Sequence, residues 1–113
     1  MNATYNYEFA AEPGFHGLDL CWSFYPIEIV YDNVQVCVWP AYRPQQFQRY
    51  LVSFVKYGNP NTAKDPLAPS FQLFGTPKYY IQLNWLEDFK LLAPDTELPE
   101  DRCRFWQPAP YIG

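Results

Sequence analysis

The only histidine of the 113-residue chain, His16, is the residue best suited to acid–base chemistry. An imidazole takes up and returns a proton near neutral pH, which makes histidine a common general base. Gly14 and Gly17 flank His16 and allow the sharp turns that present a side chain from a loop. This pattern predicts a candidate general base on a loop, although a lone histidine more often has a structural role.

A histidine base needs a nucleophile, and the serines available are Ser23, Ser53 and Ser70. None lies in a G-x-S-x-G sequence, which holds a nucleophilic serine on a strained turn. Ser23 is in an aromatic run, Ser53 in a predicted helix and Ser70 in a Pro-rich loop, so we expect none to act as nucleophile. Asp19, three residues after His16, could orient the imidazole, but Asp is favoured at helix starts, and we interpret it as the cap of a short helix or turn over residues 19–25.

The cysteines Cys21, Cys37 and Cys103 show no C-x-x-C spacing. With a single histidine in the chain, a zinc site is hard to build, and we expect no bound metal. At most one disulfide forms within the chain, and the sequence leaves open whether Cys21 pairs with Cys37 or either pairs with Cys103. The segment Asn2-Ala3-Thr4 matches the acceptor sequence for N-glycosylation, a triplet that also arises by chance.

Composition places the chain among ordered proteins with one small domain, because 49% of its residues are hydrophobic and 20% are aromatic. Twelve prolines favour short elements and long loops. The net charge of −4, without a basic tract, argues against nucleic acid as a partner. No apolar run approaches the roughly 20 residues that span a bilayer, and residues 1–5 lack the basic and apolar regions of a secretion signal.

Alternating aromatic residues predict a strand over residues 4–10, and residues 79–85 predict a second one. Residues 27–38 predict a β-hairpin that turns at Asp32-Asn33. A helix is predicted from Pro44, at its first position, to a left-handed cap at Gly58. Its buried stripe comprises Phe47, Tyr50, Leu51, Phe54 and Val55. After this helix, a Pro-rich connection is predicted over residues 59–75, with Phe71, Leu73 and Phe74 as its anchoring contacts. A polar loop is predicted over residues 95–101. Pro99 is predicted to open a short helix that includes residues 102–107.

Several segments, in this order, resemble the C-terminal end of the type-B carboxylesterase/lipase family, which includes cholinesterases and fungal secreted esterases. The Tyr-Asn-Tyr-Glu-Phe strand at 5–9 precedes Pro-Gly-Phe-His-Gly-Leu-Asp at 13–19, which is similar to the family's His-Gly-x-Asp/Glu loop. Residues 48–54 run into Gly-Asn-Pro-Asn at 58–61, similar to the family's Tyr/Trp-x-x-Phe helix and Gly-Asp/Asn-Pro-Asn turn. Residues 102–107 are similar to its terminal Cys-x-Phe/Trp-Trp segment.

The resemblance implies that residues 1–113 are an incomplete, C-terminal part of an α/β-hydrolase domain. The expected fold class is α/β, with few short strands, one clear amphipathic helix and much Pro-rich loop. His16 matches the histidine of the family's Ser-His-Glu/Asp triad, whose imidazole takes the serine proton and gives it to the departing alcohol. The resemblance also implies a secreted, cofactor-free serine hydrolase acting on carboxylic esters.

The chain departs from the family pattern because it lacks the catalytic groups other than the histidine. The nucleophile, the triad acid, the oxyanion-hole glycines and the central parallel sheet are not encoded, and residues 27–43 do not match the family. In family members, the partner of the cysteine that corresponds to Cys103 precedes the catalytic histidine. We therefore expect a segment that carries the catalytic base but is inactive alone, its ester substrate bound only by a full-length hydrolase.

Two other functions compete with this interpretation. The first is a non-enzymatic module that binds a partner through an aromatic-rich surface, for which a large exposed apolar patch would be typical. The second, which has least support, is an independent small enzyme, since a lone histidine without a nucleophile or metal meets few criteria for an active site. The unpaired edge of the strand over residues 5–9 also predicts self-association.

Overall fold

The structure, a computed structural model, describes residues 3–14, 16–27, 30–35, 37, 40–75, 77–93, 104–108 and 110. Over these residues the chain is a small mixed α/β protein with three helices, a three-stranded sheet and a two-stranded hairpin. The elements are β1 (Tyr7–Phe9), α1 (Asp19–Ser23), β2 (Val30–Tyr31), β3 (Val34–Gln35), α2 (Tyr42–Tyr57), β4 (Tyr80–Leu83), β5 (Lys90–Leu92) and α3, a single turn over residues 104–106.

The three-stranded sheet has the order β1-β4-β5, with β1 parallel and β5 antiparallel to β4. The backbone N–H of Ala10 donates to the carbonyl of Leu83 over 3.0 Å, which extends the parallel pairing past β1. All four residues of β4 are buried, as expected for a central strand. The predicted strands are confirmed, although β1 spans only Tyr7–Phe9. The sequence analysis missed β5.

Helix α2 begins at Tyr42, two residues before the predicted start. Pro44 is its third residue rather than its first, and it is tolerated there because N–H groups of the first turn have no partner within a helix. The predicted end is confirmed, since Gly58 adopts a φ of 69° and its N–H donates to the carbonyl of Phe54 over 2.8 Å. A residue with a side chain would be strained in this left-handed conformation.

The buried face of α2 differs from the predicted stripe. Phe47 and Tyr50 are buried as predicted, but the side chain of Val55 is 85% exposed. Two polar residues, Gln46 and Ser53, are buried in addition. Both side chains find hydrogen-bond partners, which removes the free-energy cost of burying polar groups. The side-chain oxygen Oε1 of Gln46, for example, accepts a hydrogen bond of 2.9 Å from the Arg43 guanidinium. The other two members of the predicted stripe, Leu51 and Phe54, are half-buried and exposed respectively.

The Pro-rich connection after α2 is fixed by side chains that bond to its backbone. The Ser53 hydroxyl donates to the carbonyl of Asn59 over 2.7 Å and accepts from the N–H of Ala63 over 2.9 Å. The Asn61 amide exchanges two hydrogen bonds with the backbone of Phe71, at 2.9 and 2.6 Å. Of the predicted anchors, Phe71 is buried and Phe74 is half-buried, whereas Leu73 is exposed and its prediction is wrong.

The hairpin over β2 and β3 confirms the predicted turn. Asp32 and Asn33 have φ angles of 49° and 61°, the left-handed values that a two-residue turn of type I′ requires. The paired strands are shorter than predicted, and residues 28, 29, 36, 38 and 39 lie outside the described residues.

Aromatic rings form much of the core between the sheet and the helices. Trp22 of α1 is fully buried, with ring centroids 4.9 Å from Phe9 and 5.9 Å from Phe89. The Tyr50 ring of α2 lies 4.7 Å from that of Phe71. The predicted polar loop over 95–101 lies outside the described residues, as do Arg102 and Cys103, while residues 104–106 confirm part of the predicted final helix.

Candidate functional site

His16 lies on the loop that leaves the carboxyl end of β1 and enters α1, which we call the histidine loop (residues 10–18). Its side chain is exposed and makes no hydrogen bond with any residue that the structure describes. The neighbouring Phe15, part of the sequence motif, lies outside the described residues. His16 therefore lies on a loop, as the sequence predicts. Its role as a catalytic base stays a prediction.

Two glycines shape the histidine loop. Gly14 and Gly17 have φ angles of 68° and 86°, which side-chain-bearing residues rarely adopt. The N–H of Gly14 donates to the carbonyl of Ala11 over 2.8 Å, and the carbonyl of Gly17 accepts from the N–H of Leu20 over 3.1 Å. The loop thus turns once on each side of His16, as the glycine spacing predicts.

The parallel pairing brings the histidine loop to the same edge of the sheet as the segment that follows β4. In sheets of this kind, ligand sites lie beyond the carboxyl ends of the strands. A cleft of about 100 Å³ opens at this edge, and its lining includes Glu12 of the histidine loop together with Asn84 and Trp85. His16 does not line this cleft.

None of the serines is hydrogen-bonded to His16. The hydroxyl of Ser23 donates to the backbone carbonyl of Asp19 over 2.9 Å. Ser53 is fully buried and engaged with the connection after α2. Ser70 is exposed, outside any helix or strand. The described residues therefore bring no serine hydroxyl to the imidazole.

Asp19 does not cap α1, and the prediction that it does is wrong. Leu18 occupies the cap position, Asp19 is the first helical residue, and no side chain bonds to the exposed N–H groups of that end. The carboxylate instead accepts a hydrogen bond of 2.8 Å from the phenol of Tyr7. Its negative charge in the first turn still complements the helix dipole.

The bond between Tyr7 and Asp19 ties the far end of the histidine loop to β1. Partial burial, and then the hydrogen bond and charge of Asp19, raise the pKa of the Tyr7 phenol to about 12. The phenol therefore stays protonated and able to donate at any physiological pH. Sequence reasoning missed this contact, although alternation in β1 signals that Tyr7 faces the protein and that its hydroxyl needs a partner.

Helix α1, which follows the histidine loop, is held by α2. The side-chain amide of Gln48 donates to the carbonyls of Trp22 and Tyr25, at 3.0 and 2.7 Å. These carbonyls lie at and just after the end of α1, where the last carbonyls of a helix lack their usual N–H partners four residues on. Sequence reasoning missed Gln48 as well, because nothing in the helical pattern identifies which polar residue faces another helix.

The disulfide joins Cys21 to Cys37, which decides between the pairings that the sequence leaves open. It links α1 to the chain that follows the hairpin. Cys103 lies outside the described residues. Within the parts of the chain that the structure describes, no three His, Cys, Asp or Glu side chains gather in a way that would hold a metal ion.

An apolar groove of about 260 Å³ lies between β1, the residues just before it, and α2. We call it the aromatic groove, and its main walls are Tyr5, Tyr7, Phe47, Leu51, Phe54 and Phe71. Among the described strands, β1 is paired on one side only, because it stands at the end of the sheet order.

No protein-family model matches the chain, and a search of curated proteins gives no match to it. Over the described residues, no helix is both long and apolar enough to cross a membrane, which agrees with the expected absence of a membrane span. The structure establishes a small mixed α/β fold. The origin of the chain in a hydrolase stays a prediction.

Proposed function

We propose that the chain is the histidine-bearing, C-terminal part of a carboxylesterase-like serine hydrolase. The observation that carries the proposal is the exposed position of His16 on a loop at the carboxyl end of a parallel strand. The ordered resemblance of four segments to the family supports it. Cys21 and Cys37, which form a disulfide, support the secreted character that the resemblance implies, since disulfides persist in oxidising compartments.

In this function His16 is the general base of an acyl transfer. Its imidazole takes the proton of a serine hydroxyl as that oxygen attacks the ester carbonyl, and it returns the proton to the leaving alcohol. The serine and the acid that orients the ring belong to the rest of the hydrolase. Because removal of a triad nucleophile eliminates nearly all turnover, the 113 residues alone are inactive.

The test compares the 113-residue chain with the product of its reading frame extended upstream. We expect the 113 residues to hydrolyse p-nitrophenyl butyrate no faster than buffer, and the extended frame to encode G-x-S-x-G and to hydrolyse the ester. In the extended chain, His16→Ala lowers kcat by roughly 10³-fold or more. Gln72→Ala, at an exposed position outside the histidine loop, serves as the matched control and retains activity.

Two results would contradict the proposal. One is ester hydrolysis by the 113 residues that disappears in His16→Ala, because it would show a complete site within this chain. The other is an extended frame that lacks a nucleophile motif, or an active extended chain in which His16→Ala has no effect.

The aromatic groove favours a second candidate, a non-enzymatic module that binds an extended polypeptide. A strand added at the free side of β1 would place alternate apolar side chains into the groove. The same surface explains the predicted self-association. We expect analytical ultracentrifugation to show oligomers that Phe54→Lys, in the groove wall, disperses and that Val55→Lys, outside it, does not. A wild-type chain that stays monomeric at all concentrations would remove the support for this candidate.

A further inference from the structure

The cleft at the carboxyl edge of β1 and β4 combines hydrogen-bond acceptors with apolar surface. We call it the edge cleft, and its walls are Ala10, Glu12, Asn84, Trp85, Leu86 and Glu87. We propose that the edge cleft binds the ammonium group of a small primary amine. This inference goes beyond the esterase function proposed above and does not depend on it, because His16 does not line the cleft.

The side chain of Asn84 carries an unused acceptor in the wall of the edge cleft. Asn84 is 8% exposed, and its nitrogen Nδ2 donates to the side-chain oxygen of Gln82 and to the backbone carbonyl of Asp88, both over 3.3 Å. These two bonds use both hydrogens of the amide and fix its orientation. The oxygen Oδ1 receives no hydrogen bond from any residue that the structure describes. Because polar atoms of buried side chains are normally paired, Oδ1 offers a place to a donor from a ligand.

A largely buried arginine holds the partner of Asn84 in place. The side chain of Arg43 in α2 is 14% exposed, and its guanidinium forms an ion pair of 3.0 Å with the carboxylate of Asp88. The same guanidinium lies 5.5 Å from the centroid of the Phe89 ring, which adds a cation–π contact. Helix α2 thereby fixes the turn between β4 and β5, and with it the direction of the Asn84 amide. The acceptor is part of the fold, not of a free surface side chain.

The charge of the edge cleft is negative. Glu12 is exposed and forms no ion pair with any described residue. Glu87 pairs through one carboxylate oxygen with the ammonium of Lys90, over 2.8 Å. None of the described residues that line the cleft is cationic. Electrostatic complementarity therefore favours a cation over an anion or a neutral molecule.

The remaining walls of the edge cleft select the kind of cation. Ala10, Trp85 and Leu86 supply apolar surface, and the indole ring attracts a cation. Calcium takes roughly six to eight oxygen ligands, which this partly apolar lining does not supply. A primary ammonium donates N–H groups to amide and carboxylate oxygens while its alkyl chain lies on the apolar wall. The volume of about 100 Å³ limits the ligand to a few carbons, since a cavity of roughly 150 Å³ holds benzene.

The test titrates the isotope-labelled 113-residue chain with n-butylammonium chloride and follows side-chain N–H signals by nuclear magnetic resonance. We expect saturable shifts of the Asn84 amide and the Trp85 indole, with a dissociation constant on the order of 1 mM. The amide of Asn61, which bonds to Phe71 outside the cleft, should not shift. Tetramethylammonium has the charge without an N–H donor, and n-butanol has the size without the charge. Each should bind at least about fivefold more weakly.

A pair of charge-matched variants separates the cleft from the net charge of the protein. Glu12→Gln, at an exposed position, should raise the dissociation constant about threefold to fivefold. Asp32→Asn changes the net charge equally in the exposed hairpin turn and should leave the constant unchanged. Circular dichroism establishes that both variants are folded.

Four results would overturn the proposal. The first is the absence of saturable shifts at Asn84 and Trp85 in the wild-type chain. The second is equal affinity for tetramethylammonium, because it would remove the role of the N–H donors. The third is an equal loss in Glu12→Gln and Asp32→Asn, which would indicate attraction to the overall charge only. The fourth is calcium chloride that shifts the same signals at lower concentration than the amine, because it would indicate a metal site.

Discussion

Two regions of this protein treat their polar groups in opposite ways. In the region formed by α2 and the connection after it, buried and half-buried polar side chains are paired, as in Ser53 with Asn59 and Asn61 with Phe71. In the histidine loop, His16 stays in water and bonds to no described residue. Pairing removes the cost of burial and fixes a structure. An exposed imidazole contributes little to holding the fold.

The difference separates a closely packed, internally bonded region from an exposed loop. The α2 region carries close aromatic packing, while α1, the helix that the histidine loop enters, is held by hydrogen bonds of Tyr7 in β1 and Gln48 in α2. We therefore expect substitutions in the α2 region to change the free energy of unfolding strongly. Substitutions in the histidine loop should change it weakly.

The largest effect is expected when the packed face of α2 is broken at Phe47. This side chain is 1% exposed and its ring contacts that of Tyr7 at 5.1 Å. Phe47→Ala leaves a cavity and lowers the free energy of unfolding by about 3–5 kcal/mol. Urea denaturation followed by circular dichroism measures the change.

Val55→Ala, on the exposed side of the same helix, is the matched control for Phe47→Ala and shifts stability by less than about 0.5 kcal/mol. If both variants lost the same stability, the assignment of the two faces of α2 would be wrong.

The second-largest change in stability is expected at the disulfide between Cys21 and Cys37, which links α1 to the chain that follows the hairpin. Its 16-residue separation predicts a loss of about 3 kcal/mol on reduction. Thermal unfolding with and without dithiothreitol measures it, in a Cys103→Ser background that prevents other pairings. A double variant, Cys21→Ser with Cys37→Ser, should show no response to dithiothreitol. Equal stability of the oxidised and reduced chains would contradict the expectation.

The smallest effect is expected at Tyr7, where β1 holds the histidine loop. Tyr7→Phe removes one partly exposed hydrogen bond to Asp19 and lowers the free energy of unfolding by about 1 kcal/mol. The pKa of this phenol rises from 10.0 to about 12 on folding, so its contribution is complete below pH 10.0 and is lost towards pH 12.

Stability measured across that interval should therefore fall more steeply with pH in the wild-type chain than in Tyr7→Phe. Asp19→Asn offers a second check, because removing the carboxylate lowers the pKa of Tyr7, which ultraviolet titration detects. Parallel pH curves for the wild-type chain and Tyr7→Phe would show that the contact does not contribute.

The features predicted correctly from the sequence are those that local chemistry determines. Gly58 ends α2 because of its left-handed φ, and Asp32-Asn33 makes the hairpin turn for the same reason. The alternation of residues 79–85 identifies β4. The loop position of His16 followed from the glycines on either side of it.

Most features predicted wrongly depend on contacts that lie outside the element concerned. Ser53 is buried because the connection after α2 supplies its partners, and no periodic pattern reveals those partners. Asp19 bonds to Tyr7, which is twelve residues earlier in the sequence, instead of the helix that it begins. The strand β5 forms on the edge of β4 from residues that lack a clear alternation. The disulfide pairing likewise needs the fold.

The parallel pairing of β1 with β4 also sets the order in which this protein can assemble during synthesis. Phe9 faces Leu83, more than seventy residues later, so the strand that leads into His16 has no sheet partner until β4 has left the ribosome. Contacts of such long sequence separation are slow to form. The histidine loop therefore reaches its position beside the sheet only after β4 has been synthesised, and a chain that stops before Tyr80 would carry His16 on an undocked strand.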